Sequence, residues 1–192
     1  MSPRPRAVVV GASAGGMEAL ALVLGALEAD FPLPVLVVQH ISPAAATAIP
    51  ELLDERCRIR VKEADEKETP RPGTAYLAPP NYHLLVERDA TLSLSTEGRV
   101  CFARPSVDVL FETAALAFGP ALVGVVLTGG NEDGSRGLAA IARAGGRTIV
   151  QAPATAVAPE MPRAALAATR ADHVLPPEDI GPLLSRMAQD DD

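Results

Sequence analysis

The sequence predicts an α/β fold: a doubly wound, mainly parallel sheet with flanking helices and an antiparallel hairpin. Three observations carry this. The apolar runs AVVV, PVLVVQ, LVGVVLT and RTIVQ are too continuous for strands that show one face to water. Stretches rich in Ala and Leu lie between them, such as Met17 to Ala29 and Val107 to Phe118, giving the strand–helix alternation of a sheet covered on both faces. Aromatic residues make up only 3% of a chain that is 48% hydrophobic, and Trp is absent. The core is therefore built from Ala, Val and Leu, a composition that suits helices packed closely on a parallel sheet.

Each element follows in order. The strand AVVV runs directly into GASAGG and then into helical sequence, and PVLVVQ ends at His40. Further strands are expected at RIRVK, TAYLAP, YHLLVE and TLSLS. The run YHLLVERDATLSLS reads as a hairpin whose polar turn is ERDA. Ser106 is placed to cap the helix that follows ARPS, with Asp108 in its first turn, where the helix dipole favours an acid. The segment ADHVLPPEDIGPLLSRMAQ predicts a last strand, a Pro-marked turn and a terminal helix, in which Pro182 argues against a straight run. The charged segment KEADEKETPRPGT is a surface loop, since neither half of the chain has a convincing core of its own. Residues 1–192 read as a single catalytic-type domain without an internal repeat.

Composition also excludes function classes. With 192 residues the chain can bury roughly 70% of its unfolded surface. Its formal net charge is −7, and Asp190 to Asp192 end it in a small acidic tail. Nothing resembles the basic stripe of a nucleic-acid-binding protein, so no nucleic-acid partner is expected, although a local basic cleft is compatible with this average. No segment approaches a membrane span, and the N-terminus lacks a secretory pattern, so direct membrane insertion is not expected and the location is cytoplasmic. Cys57 and Cys101 have no redox or zinc spacing and read as free thiols of a reducing compartment.

The opening turn GASAGG admits two chemistries. Dinucleotide binding needs a glycine where the backbone approaches a pyrophosphate, but Ser13 occupies that position. The next strand ends in Gln39-His40 rather than in a ribose-binding acid, and the Gly-Lys-Ser/Thr of a Walker loop is missing. G-x-S-x-G fits more directly: small neighbours let the chain turn sharply from strand to helix while exposing the Ser13 hydroxyl. Backbone amides of Ala14, Gly15 and Gly16 are then candidate donors to an oxyanion.

A serine nucleophile needs a base. His40 follows a buried strand and so lies at the sheet edge where α/β active sites gather. His83, in the hairpin, is a candidate to line a cleft, and His173 reads as a surface residue. The acid comes from LTGGNEDGSRG, where Asp133 is favoured over Glu132 because Gly134 gives the adjacent backbone its freedom; an Asx turn or helix cap is the competing role for Asp133. The order Ser13, His40, Asp133 differs from that of an ordinary α/β-hydrolase, but triads recur with different connectivities. Scattered histidines and acids give no metal-ligand spacing, and no cofactor or metal is required.

The motifs VVVGASAGG, VVQHISP, VKEADEKETPRPGTAYLAPPNYHL, RPSVDVLFETAA, LTGGNEDGSRG and QAPATAVAPEMPRAAL, in this order, resemble the catalytic domain of the bacterial chemoreceptor protein-glutamate methylesterases, from about Ala7 to Leu183. The resemblance implies Ser13 as nucleophile, His40 as general base and Asp133 as its orienting carboxylate. It also implies methylated cytoplasmic helices of chemoreceptors as partner, with hydrolysis of glutamate methyl esters and, in some members, deamidation of receptor glutamines. Arg104 is a candidate contact for such an acidic helix. Three departures stand out. Ala14 replaces a hydroxyl residue after the nucleophile, Gly130 replaces a methionine before the acid, and AAATAIPELLDE replaces the usual pattern after HISP. The family often carries a receiver domain ahead of this one, for which the present N-terminus leaves no room. The alternatives are an esterase or amidase for another substrate, and a weakly catalytic sensory adaptor that binds receptor helices.

Overall fold

The computed structural model describes residues 3–41 and 48–189; the acidic tail and most of the segment after His40 lie outside them. Nine strands and six α-helices follow one another among the described residues. In chain order they are β1 (Ala7–Ala12), α1 (Gly16–Gly25), β2 (Val35–Gln39), α2 (Ile49–Asp54), β3 (Arg60–Glu63), β4 (Thr74–Leu77), β5 (His83–Val86), β6 (Leu92–Ser95), α3 (Val107–Phe118), β7 (Leu122–Val126), α4 (Ser135–Arg143), β8 (Arg147–Gln151), α5 (Glu160–Ala168), β9 (His173–Leu175) and α6 (Pro177–Gln189).

Seven strands form one parallel sheet in the order β3-β4-β2-β1-β7-β8-β9. The continuous apolar runs explain it. Successive side chains point to opposite faces, so a strand buried on both faces must be apolar at every position. In β1, Val8 and Val10 join one core with Leu20, Val23 and Leu24 of α1 and Ile180 and Leu184 of α6. Val9 joins the other, with Leu110 and Phe111 of α3, Leu138 and Ile141 of α4 and Met161 of α5. The expected hairpin is a separate antiparallel pair, β5 with β6, in the register His83↔Ser95 to Val86↔Leu92. Its Leu84, Val86 and Leu92 pack into the second core.

One boundary and one helix interior differ from the sequence reading. The helix expected over Met17 to Ala29 ends at Gly25 with Ala26 as its cap, and Leu27, fully buried, turns into the core instead of continuing the spiral. Gly25, a poor helix former, sits at that break. The terminal helix, by contrast, runs through Pro182, with Gly181 tight against the backbone of α1.

This topology places the site. The chain leaves β1 to build one half of the sheet and returns beside it as β7 to build the other. The C-terminal ends of β2, β1 and β7 are therefore neighbours at the switch point, where loops diverge and leave a crevice.

Candidate active site

Ser13, His40 and Asp133 follow these three adjacent strands: Ser13 follows β1, His40 follows β2, and Asp133 lies in the loop from β7 to α4. The Ser13 turn is held by backbone and by buried amide and hydroxyl groups. Ser13 N donates to Thr128 O at 2.9 Å, and Gly16 N to Ser13 O at 2.8 Å. Gln39, the last residue of β2, donates from Nε2 to Ser13 O (2.8 Å) and to His40 O (2.9 Å), tying the Ser13 and His40 segments together. Thr128 Oγ1 lies 2.8 Å from Ala14 O and accepts from Ala158 N at 2.9 Å. Thr128 N in turn donates to Gln151 Oε1.

Glycine is required here for two different reasons. Gly15, the N-cap of α1, adopts φ 77°, a left-handed conformation that strains residues bearing a Cβ. Gly129 has ordinary φ but no room: a Cβ there would collide with Met161 Sδ and approach Ser13 Cβ to 2.9 Å.

The His40–Asp133 half is built from side chains. His40 N donates to Ala12 O at 2.9 Å, which fixes the residue at the sheet edge. His40 Nε2 lies 2.7 Å from Asp133 Oδ2, leaving Nδ1 as the ring nitrogen for chemistry. Asp133 is fully buried. Its Oδ2 also accepts from Val107 N (2.7 Å), and its Oδ1 accepts from Ser106 Oγ (2.8 Å) and Asp108 N (2.9 Å). Burial alone would push this carboxyl up. The His40 hydrogen bond, the amides of Asp108 and Val107 and the His40 charge outweigh burial and hold it below the ordinary aspartate value.

Asp133 is thus seated on the N-terminus of α3, whose first amides would otherwise be orphaned. Asp108 lies in the first turn of α3, as expected, and its carboxylate does the same for α4. It reaches across, and its Oδ1 accepts from Gly134 N (2.9 Å) and Gly137 N (2.8 Å). The two helices exchange caps: an acid beside each N-terminus serves the other. Asp108 is raised by burial against the opposing Gly137 amide, with the Asp133 charge adding to the rise and Arg136 lowering it. The Asx turn weighed for Asp133 belongs instead to Asn131, whose Oδ1 accepts from Asp133 N. Glu132, the competing acid, is exposed and has no contact with His40 among the described residues.

Ser13 and His40 face a cleft of about 500 Å³ lined also by Ile41, Asn81, Arg99, Cys101, Phe102, Arg104 and Asn131. The Ser13 hydroxyl makes no hydrogen bond among the described residues, so it points to the cleft unengaged. Of the three oxyanion candidates, Gly16 N is spent on Ser13 O, whereas the amides of Ala14 and Gly15 have no acceptor among the described residues. Arg104 lines the cleft and donates from Nη1 to Thr96 O (2.7 Å) and Glu97 O (3.1 Å).

His83 does not reach the cleft. It is only 2% exposed, with Nε2 3.0 Å from Gly98 O and Nδ1 accepting from Ser106 N at 3.1 Å. Both ring nitrogens are spent on backbone, which makes it a clasp for the 98–106 segment rather than a substrate contact.

Cys101, Asp108 and Asp133 bring a thiol and two carboxylates within 4.8 Å of one another. They do not fit a cation. Asp133 has donors on both oxygens, Asp108 Oδ2 faces Arg136 Nε at 3.3 Å, and burial followed by the nearby acids pushes the Cys101 thiol up, away from the thiolate a metal needs.

Sequence reasoning missed Gln39, Thr128 and Gln151. A signal was present: VLVVQ, VVLT and RTIVQ each close an apolar strand with one polar residue, and a polar side chain at the end of a buried strand must find a partner.

The model of the CheB methylesterase family matches residues 8–184 of the chain. The chain belongs to this family. A putative protein-glutamate methylesterase/protein-glutamine glutaminase of Leptospira interrogans is 47% identical over 183 residues, 95% of each chain. A protein-glutamate methylesterase/protein-glutamine glutaminase of Anaeromyxobacter dehalogenans is 44% identical over 96% of this chain but only 51% of its own length. The protein-glutamate methylesterase FrzG of Myxococcus xanthus is 41% identical over 92% of this chain and 53% of its own. Thus this chain spans nearly all of the first relative and about half of the other two. The crystal structure of the Thermotoga maritima CheB methylesterase catalytic domain superposes with a TM-score of 0.91 at 31% identity, covering 96% of this chain and all of that one.

Proposed function

We propose that the chain is a serine esterase that hydrolyses glutamate methyl esters on the cytoplasmic helices of chemoreceptors and deamidates receptor glutamines by the same route. The observation that carries the mechanism is the 2.7 Å contact of buried Asp133 with His40 Nε2, on the rim of the cleft that Ser13 also faces. Family membership supports the substrate class.

His40 Nδ1 takes the Ser13 Oγ proton as the oxygen attacks the γ-carbonyl carbon. Asp133, itself anionic, stabilises the imidazolium through Nε2–H. The tetrahedral oxyanion faces the amides of Ala14 and Gly15, and the helix α1 N-terminus favours its charge. Collapse breaks the bond to methoxide, which leaves as methanol with the His40 proton, and a glutamyl ester of Ser13 remains. Water then adds, losing a proton to His40, and the second collapse returns that proton to Ser13 and frees the receptor carboxylate. With glutamine the first leaving group is ammonia. The Ser13–His40 hydrogen bond forms as substrate closes the site, as is common where the unliganded pair is loose. The enzyme acts from the cytoplasm, where the receptor helices that carry the esters lie.

The test is methanol release from a receptor methylated by its own methyltransferase, with Ser13→Ala alongside. Release by the wild type and none by the variant is expected. Equal release by both overturns the nucleophile, and receptor binding without any release would favour the adaptor.

A further inference from the structure

The segment between β6 and α3 carries an unusual turn. Val100 and Ala103 exchange two backbone hydrogen bonds (3.0 and 2.8 Å), so Cys101 and Phe102 form a two-residue reversal. Both have positive φ, 48° and 62°. Asn-Gly or Gly-Gly suits such a reversal; residues with a bulky side chain are strained there. Yet the turn holds a phenylalanine, and that residue is 95% exposed. Strain and an aromatic side chain left in water, at one position beside a reactive cleft, are features selected for a task rather than for stability.

The turn is held in place from behind. His83 grips Gly98 O and Ser106 N, the two ends of the segment, and Arg104 Nη1 grips Thr96 O and Glu97 O. Its tip is thereby fixed between two hollows. On one side is the Ser13–His40 cleft, with Arg99 and Arg104 in its wall. On the other is a hollow of about 550 Å³ lined by Gly130, Glu132, Glu160, Arg163 and Ala164. Phe102 belongs to both walls. The buried Nε of Arg104 has no acceptor among the described residues.

We propose that the Arg99–Arg104 turn reads the substrate: Phe102 wedges against the apolar stripe of the helix that carries the ester, while Arg99 and Arg104 take carboxylates flanking the scissile residue. This rests on the proposed function. A glutamyl ester on a helix has its i±3 and i±4 neighbours within about 5–6 Å, so a contact one turn from the serine is sampled by every docked helix. On a chain of net charge −7, an acidic helix needs local cations at the cleft, and the turn supplies two.

The experiment compares kcat/KM for a methylated chemoreceptor cytoplasmic fragment with that for a dipeptide-sized N-acyl glutamate γ-methyl ester. The variants are Phe102→Ala, Phe102→Gly and Arg99→Gln. Both Phe102 variants are expected to lower the receptor-to-dipeptide ratio about tenfold or more, through KM. Phe102→Gly does so although it relieves the backbone, which separates the ring from the strain. Arg99→Gln lowers the ratio less and weakens its salt dependence. Equal loss on both substrates, or an unchanged ratio, overturns the role of the turn while leaving the esterase standing. A wild type that cleaves the dipeptide ester but not the receptor overturns the proposed substrate and this assignment with it.

Discussion

Phe102 lines the cleft and Asp133 lies buried behind His40 in its wall, and the two are built by opposite rules. Asp133 is fully buried, with donors on both oxygens and its helix-cap role exchanged with Asp108. Phe102 is almost fully exposed on left-handed backbone, and nothing in the described chain packs over it. A base must be oriented to within a few tenths of an ångström, so its partner is set where two helices and a parallel sheet over-determine it. A surface that meets a partner gains by keeping its contact area unspent until binding, and loops tolerate the strain this brings. The comparison predicts that damage at the acid is paid in rate and damage at the turn in selectivity.

The largest effect is expected at the acid. Asp133→Asn should lower kcat by about 10⁴, the loss seen when an orienting aspartate becomes an amide in a serine triad, with much less change in KM. Stability gives an independent reading. The Asp133 pKa is depressed in the fold, so its contribution is fully present above the unfolded aspartate value of about 3.9 and is lost as pH falls through the lower folded value. Denaturant midpoints of wild type and Asp133→Asn should therefore differ at pH 7 and converge in strong acid. A difference that persists there would mean the carboxylate charge is not what anchors α3.

His83 links the two regions and should give an intermediate effect. His83→Phe fills the volume but leaves Ser106 N buried without its partner, a loss of about 1–3 kcal/mol, and releases the O of exposed Gly98 from its hold. With Ser106 no longer fixed, Asp133 loses a well-placed donor, and kcat should fall by about tenfold to a hundredfold. His83→Gln can donate with its amide nitrogen and accept with its oxygen, and is expected to recover part of both. In a Cys57→Ser background, the labelling rate of Cys101 reports the wall directly: it should rise in His83→Phe and return toward wild type in His83→Gln. Unchanged labelling with lost activity would place the effect of His83 on Asp133 alone.

The fold was legible because both of its periods are written plainly. Doubly buried strands must be apolar throughout, and the helices between them are rich in Ala and Leu. Ser13, His40 and Asp133 could be selected because each follows a buried strand, and residues after parallel strands are delivered to one edge. The supporting groups were harder to see. That the Asp108 carboxylate also serves α4 depends on how two helices separated by β7 come together, which local capping rules do not contain. The same holds for His83, whose partners Gly98 and Ser106 are brought to it by the turn at Cys101 and Phe102. Gln39 and Thr128 announced themselves only as polar ends of apolar strands, a cue that says a partner exists without saying which.

The smallest and most discriminating effect is expected at Gly130, where the family resemblance implies methionine. This glycine does not have positive φ, and a Cβ built on it meets nothing within 4 Å. Neither backbone nor packing therefore requires glycine, and Gly130→Met should leave the melting temperature close to wild type. The new side chain would stand in the wall of the hollow that Phe102 and Asn131 also line. If the substrate leaves that space empty, the flexible thioether is accommodated there and kcat and the receptor-to-dipeptide ratio both stay close to wild type. If the receptor helix uses the space, the receptor-to-dipeptide ratio falls instead, and combining Gly130→Met with Phe102→Ala loses less than the two separate losses added together. The outcome of this one change decides whether the hollow behind the turn is empty space or part of the surface that the substrate occupies.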